Sequence, residues 1–165
     1  MQGFLAGDEH VTEEKRVPKA RRARFEDLEV WQAACLLVRD VYRTTSAGGY
    51  ARDFGLRDQT RRSAVSVMSN IAEGFERDGN KELLQFLALA KGSCGEVRSQ
   101  LYVAADQGYL PPEESERQRQ SAARISRMIS GFMKYLRSSE MRGRKFPAPR
   151  PSPLESGTWN LESRR

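Results

Sequence analysis

Apolar residues recur at helical spacing along four stretches of the chain, and nowhere do they alternate as a half-buried strand requires. Over 27–45, Leu28, Val30, Trp31, Ala34, Cys35, Leu37, Val38, Val41 and Tyr42 cover about half of the helix circumference, opposite Glu29, Gln32, Arg39, Asp40 and Arg43. A face that wide predicts two packing neighbours. Asp27 is placed as an N-cap, and the SAGG run at 46–49 ends the element. A second helix is predicted over 53–78, with Ala64, Val67, Met68, Ile71 and Phe75 in register and Gly79 as its stop. Asn80 then caps a third, over 81–107, whose stripe is Leu83, Phe86, Leu87, Ala90, Cys94, Val97, Leu101 and Ala104, closed by Gly108. The fourth opens on the PPEE run at 111–114, with carboxylates where the helix dipole favours them, and continues to about 141. Its core stripe is Ile125, Met128, Ile129, Phe132 and Leu136.

Four amphipathic helices joined by short connections predict an all-α fold, an antiparallel up-down-up-down four-helix bundle over 25–142. Gly92 and Gly95 lie in the middle of the third helix, where each costs ~1 kcal/mol of helix propensity relative to alanine, which points to close backbone approach there.

Two polar features break the simple amphipathic pattern. On the second helix Arg62, Ser66, Asn70, Glu73 and Arg77 fall within about 80° of one another beside the apolar face. Such a strip is a solvated face, a satisfied seam between helices or subunits, or, as the minor alternative, a catalytic or ligand site; Glu73 and Arg77 also form an i,i+4 acid-base pair. On the fourth helix Arg117, Arg119, Arg124, Arg127, Lys134 and Arg137 occur with no acidic residue among them, opposite the apolar stripe. A one-sided basic face of that kind neutralises phosphates and gives salt-sensitive affinity for nucleic acid.

The 165 residues, 38% of them hydrophobic, suit one small domain with a modest core. The net charge of +6 is uneven: residues 1–24 hold six basic and four acidic groups, 25–142 seventeen and sixteen, and 143–165 five and two. The basic balance therefore sits mainly in a charged leader (1–24) and a tail (143–165) with prolines at 147, 149, 151 and 153, both predicted to be disordered. No apolar run is long enough to span a bilayer and the N-terminus lacks the basic-then-apolar order of a secretory signal, so a cytoplasmic protein is expected.

Catalytic chemistry finds few parts here. His10, the single histidine, lies in the leader, and there is no HExxH, no CxxC and no phosphate-cradling glycine loop. Cys35 and Cys94 each sit in an apolar helical pattern and read as small buried hydrophobes. No enzyme activity, metal or cofactor is expected.

Taken in order, FEDLEVWQAACLLVRDVYRTT, FGLRDQTRRSAVSVMSNIAEGFER, FLALAKGSCGEVRSQL and AADQGYL closely resemble the bacterial four-helix-bundle family of proteins encoded in intervening sequences of large-subunit ribosomal RNA genes, over about 25–136. That family includes the accessory variability determinant of diversity-generating retroelements. The resemblance implies a homopentamer and, for the retroelement members, a non-enzymatic partner of a reverse transcriptase that meets nucleic acid through a basic surface. Arg61, Arg62, Ser69, Asn70, Glu73 and Gly74 match the family's second-helix signature, and Gly92, Ser93 and Glu96 its third-helix signature; the resemblance implies assembly and packing roles for them. The basic residues of the fourth helix match only in general character. Cys94, Gly95, the long leader and the proline-rich tail depart from the family pattern.

The leading expectation is a homo-oligomeric accessory protein that binds structured RNA or an RNA-protein partner. Its rival is a protein-interaction scaffold, possessing the same fold, in which the charge only steers docking.

Overall fold

A computed structural model describes residues 24–77 and 79–139. The described residues are all-α: a 3-10 turn at Phe25–Asp27 precedes α1 (Glu29–Thr44), α2 (Gly48–Arg52), α3 (Phe54–Glu76), α4 (Asn80–Asp106) and α5 (Pro112–Ser139). The leader, the tail, His10 and the last residues expected of the fourth helix lie outside them.

Each of the four long helices packs on two of the others: α1 on α3 and α5, and α4 on the same pair. The wide apolar face of α1 is thereby explained, since Val30, Ala34, Leu37 and Val41 are all buried between two neighbours. The facing stripes supply Ala64, Val67 and Ile71 from α3, Leu83 through Ala104 from α4, and Ala122, Ile125, Ile129 and Leu136 from α5. Tyr42, assigned to the apolar face by its spacing, is 44% exposed, because it lies at the edge of that face beside the Arg61 guanidinium.

The ends of the helices differ in detail from the sequence reading. Asp27 belongs to the 3-10 turn, where its carboxylate accepts from the Arg24 backbone N–H at 3.3 Å, and the residue before α1 is Leu28, which has no capping side chain. Asp53 is the residue that caps, its Oδ1 accepting from the Leu56 N–H at 3.0 Å at the start of α3. Arg77, in extended backbone, ends α3; Gly79 precedes α4, and Asn80 is already helical. Gly108 closes α4 as anticipated, in the left-handed region at φ 69°.

The short α2 has no counterpart in the sequence reading. It carries Tyr50, which is fully buried, stacks on Tyr109 at 5.7 Å between ring centroids and bonds Thr60 through its hydroxyl at 2.8 Å. Thr60 gives its single proton to the Leu56 carbonyl at 2.7 Å, so Tyr50 is the donor of that pair.

Close backbone approach occurs at Gly74, not at the glycines of α4. A Cβ at Gly74 would stand 2.7 Å from the Phe86 Cβ and 3.1 Å from a Leu83 methyl, whereas one at Gly92 or Gly95 would meet nothing within 4 Å. The expectation for Gly92 and Gly95 is therefore corrected: both sit on the outward face of α4. Gly74→Ala should lower the free energy of unfolding by about 1–3 kcal/mol through overpacking, while Gly92→Ala leaves it unchanged or raises it by up to ~1 kcal/mol through helix propensity. Urea denaturation of the two variants separates these outcomes.

Candidate nucleic-acid interface

α5 divides into two electrical halves. Its first turns carry Glu113, Glu114 and Glu116, and its remainder is free of acidic groups as far as Ser139. The two arginines nearest the acids are consumed by them. Arg117 donates to Asp40 at 2.8 Å and to Glu114 at 2.7 Å and 3.0 Å; Arg43 reaches the same two carboxylates at 3.2 Å and 2.8 Å. Gln118, fully buried, adds a bond from its Nε2 to Glu114 at 2.8 Å and another to the Thr44 hydroxyl at 3.2 Å. This cluster pins the end of α1 to the start of α5. Arg119 pairs with Glu116 and lies over the Tyr102 ring of α4 at 4.0 Å, leaving its side chain 17% exposed.

Of the six basic residues expected on this face, Arg117 and Arg119 are thus engaged in ion pairs, while the other four are not. Arg124, Arg127, Lys134 and Arg137 are exposed and make no ion pair among the described residues. At 100° per residue Arg124, Arg127 and Lys134 fall within about 80° of one another, and Arg137 about 60° further round. Uncompensated cations spaced along some 20 Å of one helix face can meet successive phosphates of a nucleic-acid backbone (about 1.5 Å of rise per residue).

Electrostatics at the pinned end have a pH signature. The guanidinium of Arg117 first, with Gln118 and Arg43, holds the Glu114 carboxyl down at about 2. Asp40 is also lowered, by Arg117 and Arg43, although its burial opposes them. A carboxyl depressed on folding stabilises the protein above its unfolded pKa, and that stabilisation disappears as pH falls through the folded value. The stability difference between the wild type and Glu114→Gln should therefore be constant near neutrality and close between about pH 4.5 and 2; denaturation midpoints across that range test it.

The polar strip of α3 also resolves into distinct parts. Ser63, Ser66 and Asn70, at spacing i, i+3, i+7, face Ser93, Glu96 and Gln100 of α4, which are spaced i, i+3, i+7 as well. Ser63 donates to Glu96 at 2.9 Å and accepts from Gln100 at 3.0 Å; Ser66 and Ser93 bond at 2.9 Å, and Asn70 donates to the Ser66 carbonyl and hydroxyl at 2.8 Å and 3.0 Å. Ser66, Ser93 and Glu96 thus belong to a polar seam between two helices of one chain, with Asn70 bonded to Ser66 at its edge, although the buried Gln100 Oε1 is left without a partner there. Ser63 and Gln100 escaped the sequence reading, although their matched spacing was the available signal. Arg62, Ser69, Glu73 and Arg77 are instead exposed, with Glu73 and Arg77 paired at 2.8 Å and Arg77 over the Phe86 ring. Arg61 is a clamp on the end of α1, bonded to the Thr45 hydroxyl at 2.7 Å, the Thr45 carbonyl at 3.1 Å and Ser46 at 3.0 Å.

Cys35 and Cys94 are buried free thiols, as their apolar contexts predict, and burial pushes Cys94 up to about 12. No helix among the described residues is long and apolar enough to cross a membrane.

No curated protein shows significant similarity to the chain. Among solved structures, that of a protein of unknown function from the S23 ribosomal protein family of Bacteroides thetaiotaomicron aligns with a TM-score of 0.59 and 18% identity, covering 64% of this chain and 98% of that one. That likeness concerns the fold. The 23S rRNA-intervening sequence protein family matches residues 26–131, which takes in α1 to α4 and most of α5, with Arg124 and Arg127 inside the match and Lys134 and Arg137 beyond it. With well over half of its 165 residues matched, the chain belongs to the 23S rRNA-intervening sequence protein family.

Proposed function

We propose that this protein is a non-enzymatic, homo-oligomeric accessory factor of the cytoplasm that binds structured RNA through the second half of α5. The observation that carries this reading is the contrast within one helix: Arg117 and Arg119 are neutralised, while Arg124, Arg127, Lys134 and Arg137 are exposed and unpaired among the described residues. The family name, which ties its members to ribosomal RNA genes, agrees with an RNA partner. The test is RNA binding over a salt series with Arg124, Arg127 and Lys134 changed to glutamate, and undiminished affinity would remove the face.

In this reading the long helices form an antiparallel up-down-up-down bundle. The short connections at 77–79 and 107–111, together with the pinning of the end of α1 to the start of α5, support that arrangement. A homopentamer is the assembly we assign, with the outward face of α4 as a contact, where Leu89 and Val103 are 58% and 45% exposed. Light scattering on the purified chain tests it, a monomer being the contrary result.

The same apolar face favours a second reading, a scaffold that docks a protein such as a reverse transcriptase of a diversity-generating retroelement. Pull-downs with and without nuclease distinguish it, since a protein contact survives the loss of RNA.

A further inference from the structure

A groove of about 520 Å³ runs between the second half of α1 and the first half of α3, lined by Tyr42, Asp58, Arg61, Arg62, Val65 and Ser66. The groove is shallow and open, so a ligand held there would keep part of its surface in water.

The wall of this groove is cationic and preorganised. Arg61 is fixed by its bonds to Thr45 and Ser46 and stacks on Tyr42 at 4.8 Å from the ring centroid. Arg62, next to it, is exposed and has no ion pair among the described residues. The Asp58 carboxylate is held low first by its bond from Arg57 at 2.7 Å and also by the nearby charges of Arg62 and Arg61, so with two guanidiniums to one carboxylate the lining keeps a net positive charge. Tyr42 presents a ring that is 44% exposed although it is braced by a guanidinium. A planar fork suited to phosphate beside an aromatic surface suited to a base, with an apolar residue between, is complementary to one chemical unit.

We propose that this groove binds a nucleoside monophosphate unit, the phosphate on Arg62 and the exposed edge of Arg61, and the base against Tyr42. Val65 supplies an apolar floor, and Asp58 has an oxygen to accept from a sugar hydroxyl. Free nucleotide and an unstacked nucleotide of a single strand offer the same chemistry.

The experiment uses the full chain carrying Arg124→Glu, Arg127→Glu and Lys134→Glu, so that the α5 face does not contribute, and reads anisotropy of fluorescein-labelled decauridylate. Adding Arg62→Glu or Tyr42→Leu should weaken binding about tenfold or more, and Arg62→Lys less, because it keeps the charge but loses the fork. Both positions are exposed, and unchanged helical circular dichroism confirms folding. Competition by AMP or UMP assigns the groove to free nucleotide, and binding of decauridylate without such competition assigns it to a strand; either result supports the site. Affinity within twofold of the parent in both groove variants overturns it. So does equal competition by inorganic phosphate or hexaglutamate, or the loss of all binding with the α5 substitutions alone. Retention of groove binding when those same α5 substitutions leave structured-RNA affinity untouched rejects only the α5 face.

Discussion

Reversing Arg124, Arg127 and Lys134 should lower affinity for structured RNA by roughly several hundredfold near 0.1 M salt, with the deficit fading toward 1 M. Every cation that no longer meets a phosphate takes about one off the slope of log affinity against log salt, so the triple variant should show a slope shallower by about 3. Charge reversal adds repulsion on top of the missing attraction. The informative control is Arg119→Gln. That guanidinium is already engaged by Glu116 and covers the Tyr102 ring, so its removal should leave the salt slope where it was. A slope reduced equally by the control and by any single member of the triple would mean that the protein's general charge, rather than the second half of α5, governs binding.

Tyr50→Ala should be the most damaging single core substitution, at about 3–5 kcal/mol by analogy with other buried aromatic truncations. The ring is fully buried, and it is the only buried residue of α2, so its loss both opens a cavity and releases the short helix from α3. Tyr109 would lose its stacking partner. Against a total stability of roughly 5–15 kcal/mol for a domain of this kind, such a loss leaves a substantial unfolded fraction. Tyr50→Phe isolates the hydroxyl: it removes one buried hydrogen bond to Thr60, and about 1 kcal/mol is the expected cost. Thermal and urea denaturation of both variants check this, and a Tyr50→Ala protein that melts within a degree or two of wild type would show that α2 is dispensable to the core.

Periodicity made the four long helices legible because burial acts on each rod one residue at a time. Val30, Ala34, Leu37 and Val41, or Leu87, Ala90, Cys94, Val97 and Leu101, are apolar at the positions that end up inside, and no knowledge of the partner helix is needed to see it. α2 was illegible for the converse reason. Five residues are too few to show a period, and Tyr50 is buried by Thr60 and Tyr109, which are remote in the chain.

The candidate site divides along the same line. That α5 is basic and that α3 carries a polar strip can be read from spacing alone. Which charges remain available cannot, since the acid that disarms Arg117 includes Asp40, 77 residues away on α1, and the ring that covers Arg119 belongs to α4. Gly74 and Gly92 are likewise the same letter in the same kind of helix; only the presence of Phe86 across the first and open space beyond the second distinguishes them. Amphipathic rods are a local consequence of residue order, whereas neutralisation, close approach and the groove beside Tyr42 arise only when side chains distant in sequence share one place, because Coulomb attraction and steric overlap act through space and not along the chain.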